Sequence, residues 1–324
     1  MTDWEALDSW LAARGMTRDD REPEKFSGGL ANLNYKIHVD GRPVVLRRPP
    51  SGELAEGASD MAREHRVLTR LDDLYPLAPR PLAFCDDVAV LGAPFQLIEY
   101  RPGITITDDV PDGMTPLPGF VEALADLHAI DPARLEGLGR PDGFVRRQVD
   151  GWERRAVAAF DDVPASVPAI VEWLRANLPA DGRVALLHND FKFDNLLFDP
   201  ETSAVTAVVD WDMSTLGDPL FDLGVTLSYW SEPDDPPVLR ELGQAPALTD
   251  RAGLTSAYFD AAAVDPEPVD FYVVLARFRL AIAWQQMFVL HERGALTGPQ
   301  YAGFNAMATE ILEWTADTQL TRHT

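Results

Sequence analysis

Cysteine is nearly absent from this sequence: Cys85 is the only one in 324 residues. A lone thiol cannot close an intramolecular disulfide, and it cannot by itself build a thiolate zinc site. Positive charge is scarce too. Lys and Arg together number 28 against 52 Asp and Glu, for a formal net charge of −24. So acidic a chain lacks the cationic footprint that a phosphate backbone demands, which argues against nucleic acid as a partner. Local binding of nucleotide phosphates stays open, with a bound cation supplying the positive charge. There is no internal repeat and no low-complexity tract. The longest apolar stretch, residues 271–290, is broken by Arg277 and Arg279 and is expected to be too short and too charged to span a bilayer. The first fourteen residues carry Asp3, Glu5 and Asp8 and lack a basic segment followed by an apolar one, so no secretory signal is expected. The expected location is the cytoplasm, with no membrane partner.

What is present describes a folded protein. Hydrophobic residues make up 46% and charged residues 25% of the chain, and its length suits two lobes of unequal size. Trp4, Leu7, Trp10 and Leu11 recur at helical spacing over residues 3–15. Residues 25–39 read as strand, glycine turn and strand, and Gly41 turns the chain into a third strand at 43–47. A helix is predicted over 60–73, then strands at 81–85, 88–91 and 94–100. Arg101-Pro102-Gly103 breaks the pattern. Beyond it the spacing predicts helices at 115–130, 144–160, 164–178, 216–230, 250–262, 268–292 and 298–318, interrupted by a hairpin-like patch from 185–188 to 205–210. The expected organisation is α+β: an N-terminal antiparallel lobe with one main helix at 1–101, and a larger, mostly helical lobe at 102–324.

The densest chemistry lies in His188-Asn189-Asp190-Phe191-Lys192-Phe193-Asp194-Asn195-Leu196-Leu197. A carboxylate stands five positions before an amide, with a lysine between them and a strand after. Phosphoryl transfer needs such parts: a carboxylate to orient the acceptor hydroxyl and take its proton, and an oxygen ligand for Mg²⁺ over the nucleotide phosphates. Fifteen positions after Asn195, the apolar run Val208-Val209 ends in Asp210-Trp211-Asp212, and Gly217-Asp218-Pro219-Leu220-Phe221-Asp222-Leu223-Gly224 follows.

On these residues the chain resembles the aminoglycoside phosphotransferase family, which shares the bilobal protein-kinase-like fold, over nearly its whole length. The resemblance implies Asp190 as catalytic base and Lys192 as a group approaching the transferred phosphate. It implies Asn195 and Asp210 as ligands of Mg²⁺, with Asp212 as an auxiliary. Asp218 and Asp222 would cap a helix and brace the catalytic loop, and His188 would support that loop by hydrogen bonding. Asp194 reads as a solvated loop acid.

The N-terminal half resembles the family's ATP site. Ser27, Gly28 and Gly29 form the glycine turn, whose backbone can approach phosphates closely. Arg47 stands at the end of Val44-Val45-Leu46, where a protein kinase carries a phosphate-contacting lysine, with Arg48 as its competitor for that role. Glu64 matches the helix glutamate that pairs with this cation. Residues 96–103 resemble the hinge, where backbone groups of Glu99 and Arg101 would read the adenine edge.

The acceptor is expected to be a small molecule with a hydroxyl. The acidic surplus would suit an aminoglycoside. The run from Val44 to Gly52, with Lys192, resembles the branch related to kinase-like domains attached to some acyl-CoA dehydrogenases, which brings in a hydroxyacyl thioester or another small alcohol. No flavin or dehydrogenase constellation is present. Phe271, Tyr272, Phe278, Trp284, Phe288, Trp230 and Trp314 read first as core and second as an apolar acceptor wall. Arg277 and Arg279 would face an acidic group on the acceptor or pair with protein carboxylates. A nucleotide-binding regulatory module without turnover is the alternative function. A protein kinase ranks low, because only eight positions separate Asp210 from Asp218 and no activation segment ending in Ala-Pro-Glu is present.

Overall fold

Asp40 and Gly41 both take positive φ, 51° and 75°. Two such residues in succession make the tight turn whose twist matches paired strands. They join β2 (Leu33–Val39) to β3 (Arg42–Arg48) in the computed structural model, which describes residues 2–26, 32–49, 60–107, 109–242 and 248–319. The chain is α+β and divides into two compact units: residues 1–103 with 206–213, and residues 104–205 with 214–324.

The first unit is built on a five-stranded sheet. Its order is β1-β2-β3-β5-β4, with β1 at Glu24–Lys25, β4 at Pro81–Cys85 and β5 at Phe95–Glu99, and all neighbours are antiparallel. Side chains alternate along a strand. Ile37, Val39, Val44 and Leu46 therefore share one face, packed with Phe95, Leu97 and with Leu7, Trp10 and Leu11 of helix α1 (Trp4–Ala12). The alternation sends Arg47 to the opposite side from Leu46. Helix α2 (Met61–Leu71) starts at an Asp60 cap and buries Met61, Glu64, Val67, Leu68 and Leu71, so a glutamate stands within its apolar stripe. The strand predicted at 88–91 is instead a one-turn helix, α3 (Val88–Leu91). Asp87 caps its start by accepting from the Ala89 N–H at 2.9 Å, and Gly92, at φ 79°, closes it.

Residues 206–213 group with this unit although the sequence reading put them in the second lobe. The Val208 N–H donates to the Leu77 carbonyl at 2.8 Å, and the Tyr75 and Trp211 rings meet edge to face.

The second unit is mostly helical: α4 (Leu117–His128), α5 (Phe144–Ala159), α6 (Ser166–Ala176), then short strands β6 (Ala185–Leu187) and β7 (Leu196–Phe198). Strand β8 (Val205–Val208) carries the chain out of this unit, and β9 (Thr215–Gly217) brings it back. The partner of β6 is β9, not the 205–210 segment the sequence suggested. Helix α7 (Pro219–Ser228) accordingly starts later than predicted, with Asp218 at the cap and Pro219 at its first position. Then come α8 (Pro237–Leu242), α9 (Arg251–Ala262), α10 (Asp270–Glu292) and α11 (Phe304–Trp314).

Gly224 lets α7 and α10 approach: a Cβ there would lie 2.7 Å from the Tyr272 backbone. By length and mean hydropathy, 1.4, α10 would suffice to cross a bilayer, but 61% of its apolar window is buried inside the protein. Phe271, Tyr272, Phe278, Trp284 and Trp230 are all buried, which accords with the core reading.

Candidate active site

The loop expected to be catalytic, 188–195, follows β6, and one face of α7 holds it. Asp222, Thr226 and Tyr229 lie four and then three positions apart, which places them on one side of a helix. Asp222, wholly buried, accepts from the backbone N–H groups of His188 and Asn189, both at 2.6 Å. Thr226 donates to the Phe191 carbonyl at 2.9 Å. The Tyr229 hydroxyl donates to Oδ1 of Asp190 at 3.2 Å. Asn189 sits at φ 66°, a left-handed turn that asparagine tolerates and that these contacts hold in place. Behind Asp222 lies His128, with Nε2 at 3.3 Å from its Oδ2 and Nδ1 at 2.8 Å from the Tyr258 hydroxyl. His188 supports the loop as expected, since its Nδ1 accepts the Asp190 N–H at 3.3 Å. Asp218 caps α7 through the Leu220 N–H and accepts from the Tyr272 hydroxyl at 2.7 Å.

Asp190, Lys192 and Asn195 come together. The Asn195 amide nitrogen donates to the Asp190 carbonyl at 2.8 Å and to its Oδ2 at 2.9 Å, and Lys192 Nζ is 3.3 Å from that same Oδ2. Burial pushes the Asp190 carboxyl up, but Lys192, Arg279 and His188 more than offset it and hold it below the usual carboxylate range. Lys192, 4.9 Å over the Tyr229 ring, is the mirror case: burial works against its charge, and Asp190 keeps it firmly protonated. Tyr229 is pushed up to about 12, by burial first and then by Asp190, so its hydroxyl remains a donor. Asp194 is half-buried rather than solvated.

The second cluster lies in the first unit. Asn34, Arg47 and Gln96 stand in register across β2, β3 and β5. Arg47 Nε donates to Glu64 Oε2 at 2.7 Å, Nη1 to Asn34 Oδ1 at 3.4 Å, and Nη2 to Asp210 Oδ1. Gln96 Nε2 adds a 2.8 Å bond to the same Glu64 oxygen, and the Trp211 N–H reaches Glu64 Oε1 at 3.4 Å. Burial opposes the charge on Arg47, yet Glu64, Asp210 and Asp212 hold the guanidinium more firmly protonated than usual. Burial pushes the Glu64 carboxyl up against the pull of Arg47. Arg48, the competitor, turns its Nε to the Pro49 carbonyl at 3.3 Å, so Arg47 is the partner of Glu64.

At the end of β5, Glu99 and Arg101 pair at 2.9 Å, and Arg101 Nη2 donates to the Pro76 carbonyl at 3.2 Å. Ser27, Gly28 and Gly29 lie outside the described residues. The sequence reading missed Asn34, Gln96, His128, Tyr229 and Tyr258. The 222–226–229 spacing could have revealed Tyr229, as a polar stripe in an otherwise apolar helix.

Each unit by itself offers a hard oxygen suited to a divalent cation: in the first the Asp210 carboxylate, on a turn at φ 71°, and in the second Oδ1 of Asn195, whose nitrogen is spent on Asp190. Among the described residues no group of three or more His, Cys, Asp and Glu could hold a metal. Hard oxygens of this kind are the type Mg²⁺ takes, one or two from protein with the rest of its shell from phosphates and water.

The sequence profile of the phosphotransferase enzyme family matches residues 22–256. Acyl-CoA dehydrogenase family member 10 of Mus musculus is 31% identical over 287 residues. The match takes in 85% of this chain but only 26% of that relative's length. Among solved structures, a candidate aminoglycoside phosphotransferase from Ralstonia eutropha superposes with a TM-score of 0.77 at 25% identity, covering 97% of this chain and 98% of the other. Aminoglycoside phosphotransferase APH(4)-Ia, in ternary complex with ADP and hygromycin B, superposes with a TM-score of 0.64 at 18% identity, covering 97% and 99%. With a kinase-ordered sheet unit and this profile match, the chain belongs to the phosphotransferase enzyme family and has its protein-kinase-like fold.

Proposed function

We propose that the chain transfers the γ-phosphate of ATP, with Mg²⁺, to a hydroxyl of a small molecule. The observation that carries this reading is the Asp190 carboxylate: ionised, braced from α7, and with its Oδ2 already engaged by Asn195 and Lys192. Oδ1, which takes the Tyr229 bond among the described residues, is the oxygen left to receive the acceptor O–H. A carboxyl held this low is a weak base. It suits a transfer in which the hydroxyl is oriented first and gives up its proton as the new P–O bond forms. The acceptor oxygen bonds phosphorus, the bond to ADP breaks, and the acceptor proton passes to Asp190 and then to water.

Lys192 would meet the transferred phosphate from beside Asp190. Asn195 and Asp210 would hold the metal, which when bound neutralises phosphate charge. Glu99 and Arg101 would offer backbone groups to the base, Ser27, Gly28 and Gly29 backbone to the phosphates, and Arg47 with Glu64 the cation–carboxylate pair. Arg279, whose charge acts on both Asp190 and Tyr229, favours an acceptor that is not a polycation. A hydroxyacyl thioester or another small alcohol therefore ranks above an aminoglycoside, and the dehydrogenase-linked relatives support that order.

The test is ATP-dependent mass gain across a library of alcohols, hydroxyacyl thioesters and aminoglycosides, with wild type and Asp190→Asn. The expected result is transfer by wild type and a loss of about 10²–10⁴-fold in the variant, with nucleotide affinity kept. Equal rates overturn the assignment of Asp190. The alternative, a nucleotide-binding module without turnover, draws on Arg47, whose guanidinium is engaged by carboxylates. Tight MgADP binding without transfer to any acceptor or to water would favour it.

A further inference from the structure

Arg47 is only 6% exposed, and it joins two carboxylates through different nitrogens: Nε to Glu64 and Nη2 to Asp210. Asn34 takes Nη1. A lysine presents one ammonium and cannot span two acceptors in this planar forked geometry. Neighbouring strand residues also help fix the fork in place. Asn34 and Gln96 flank Arg47 in register on the sheet. Gln96 shares Glu64 Oε2 with Arg47, and the backbone next to Asp210 is tied to Glu64 through the Trp211 N–H. The turn that carries Asp210 is thus pinned to the same glutamate as the arginine that engages its Oδ1.

We propose that Arg47 is an internal counter-cation for Asp210. It engages Oδ1 of a carboxylate that a divalent ion would use, so that the metal loads with the nucleotide rather than ahead of it. The inference rests on the reading of Asp210 as the metal ligand. A bare dication would have to strip the guanidinium from Asp210 and leave two like-charged centres close together. Nucleotide phosphates bring the negative charge that lets Arg47 and the metal coexist.

The experiment is calorimetric titration of the full chain with Mn²⁺ alone, and then with Mn²⁺ in the presence of ADP. It uses wild type, Arg47→Met, Arg47→Lys, and each variant combined with Asp210→Asn. The expected result is weak Mn²⁺ binding by wild type without nucleotide. Arg47→Met should bind Mn²⁺ about tenfold tighter, the scale of one hydrogen bond to a charged group, and Asp210→Asn should abolish the gain. Arg47→Lys keeps a cation beside Glu64, protects the fold and should give a smaller gain. Should Arg47→Met unfold, Arg47→Lys decides alone. Mn²⁺ affinity unchanged or weaker in the folded variants overturns the proposal. Failure of the phosphotransferase reading shows separately, as wild type that neither binds ADP nor turns over ATP while these metal titrations still read out.

Discussion

Asp190 and Asp210 are both carboxylates on turns with left-handed backbone close by, yet their surroundings differ. Asp190 is held by neutral donors, the Tyr229 hydroxyl and the Asn195 amide, plus one lysine on a flexible stem. Asp210 is held by an arginine whose fork is itself clamped by Glu64 and Asn34. The first arrangement fixes a carboxylate in orientation while leaving lone pairs free to take a substrate proton. The second neutralises a carboxylate until something displaces or shares the cation. In the proposed roles, a group that would handle protons and one that would handle metal have different supports, the first built from a helix face and the second from a sheet row.

The largest effects should come from the supports. Asp222→Ala would strand two buried backbone N–H groups of the catalytic loop. It should cost about 3–5 kcal/mol in urea unfolding, well beyond an ordinary core truncation of so small a side chain. A cost below about 1 kcal/mol would mean that α7 does not brace the loop.

Next comes Tyr229→Phe, which removes a single hydroxyl. ATP turnover should fall roughly five- to tenfold, the value of one hydrogen bond, with MgADP affinity unchanged. An equal loss in nucleotide affinity would erase the distinction between the two aspartates' supports.

The smallest effect is on pH dependence. The folded Asp190 carboxyl lies below its ordinary value of 3.8, so its favourable contribution is complete above that pH and is lost as pH falls further, through the folded value. Wild type should therefore lose stability faster than Asp190→Asn on acidification below 3.8, measured by chemical unfolding at a series of pH values. Parallel curves would show that the carboxylate gains nothing from Lys192 and Arg279.

Much of the site was legible because its residues are close in sequence. Asp190, Lys192 and Asn195 fall within six positions, and Asp218 and Asp222 lie within one turn of helix. Glu64 was legible as a matched residue, and its place inside the apolar stripe of α2 gives the physical reason for its burial. The row Asn34–Arg47–Gln96 was not legible, since strand register depends on the assembled sheet and leaves no local trace. The β6–β9 pairing was hidden for a related reason: three-residue strands carry too little alternation to announce a partner. Residues 88–91 misled because a short apolar run fits a strand or a helical turn equally well, and the Asp87 cap with Gly92 decided between them.

The polar stripe of α7 has one more consequence. An α-helix turns roughly 100° per residue, so inserting a single alanine between Asp222 and Thr226 would swing everything downstream to another side of the helix. Tyr229 and Thr226 would face away from the loop with every original side chain still in the protein. Adding seven residues, close to two full turns, would return them to nearly the same bearing. They would still lie about 10 Å farther along the axis, at roughly 1.5 Å of rise per residue, so phase and size together set what this helix tolerates.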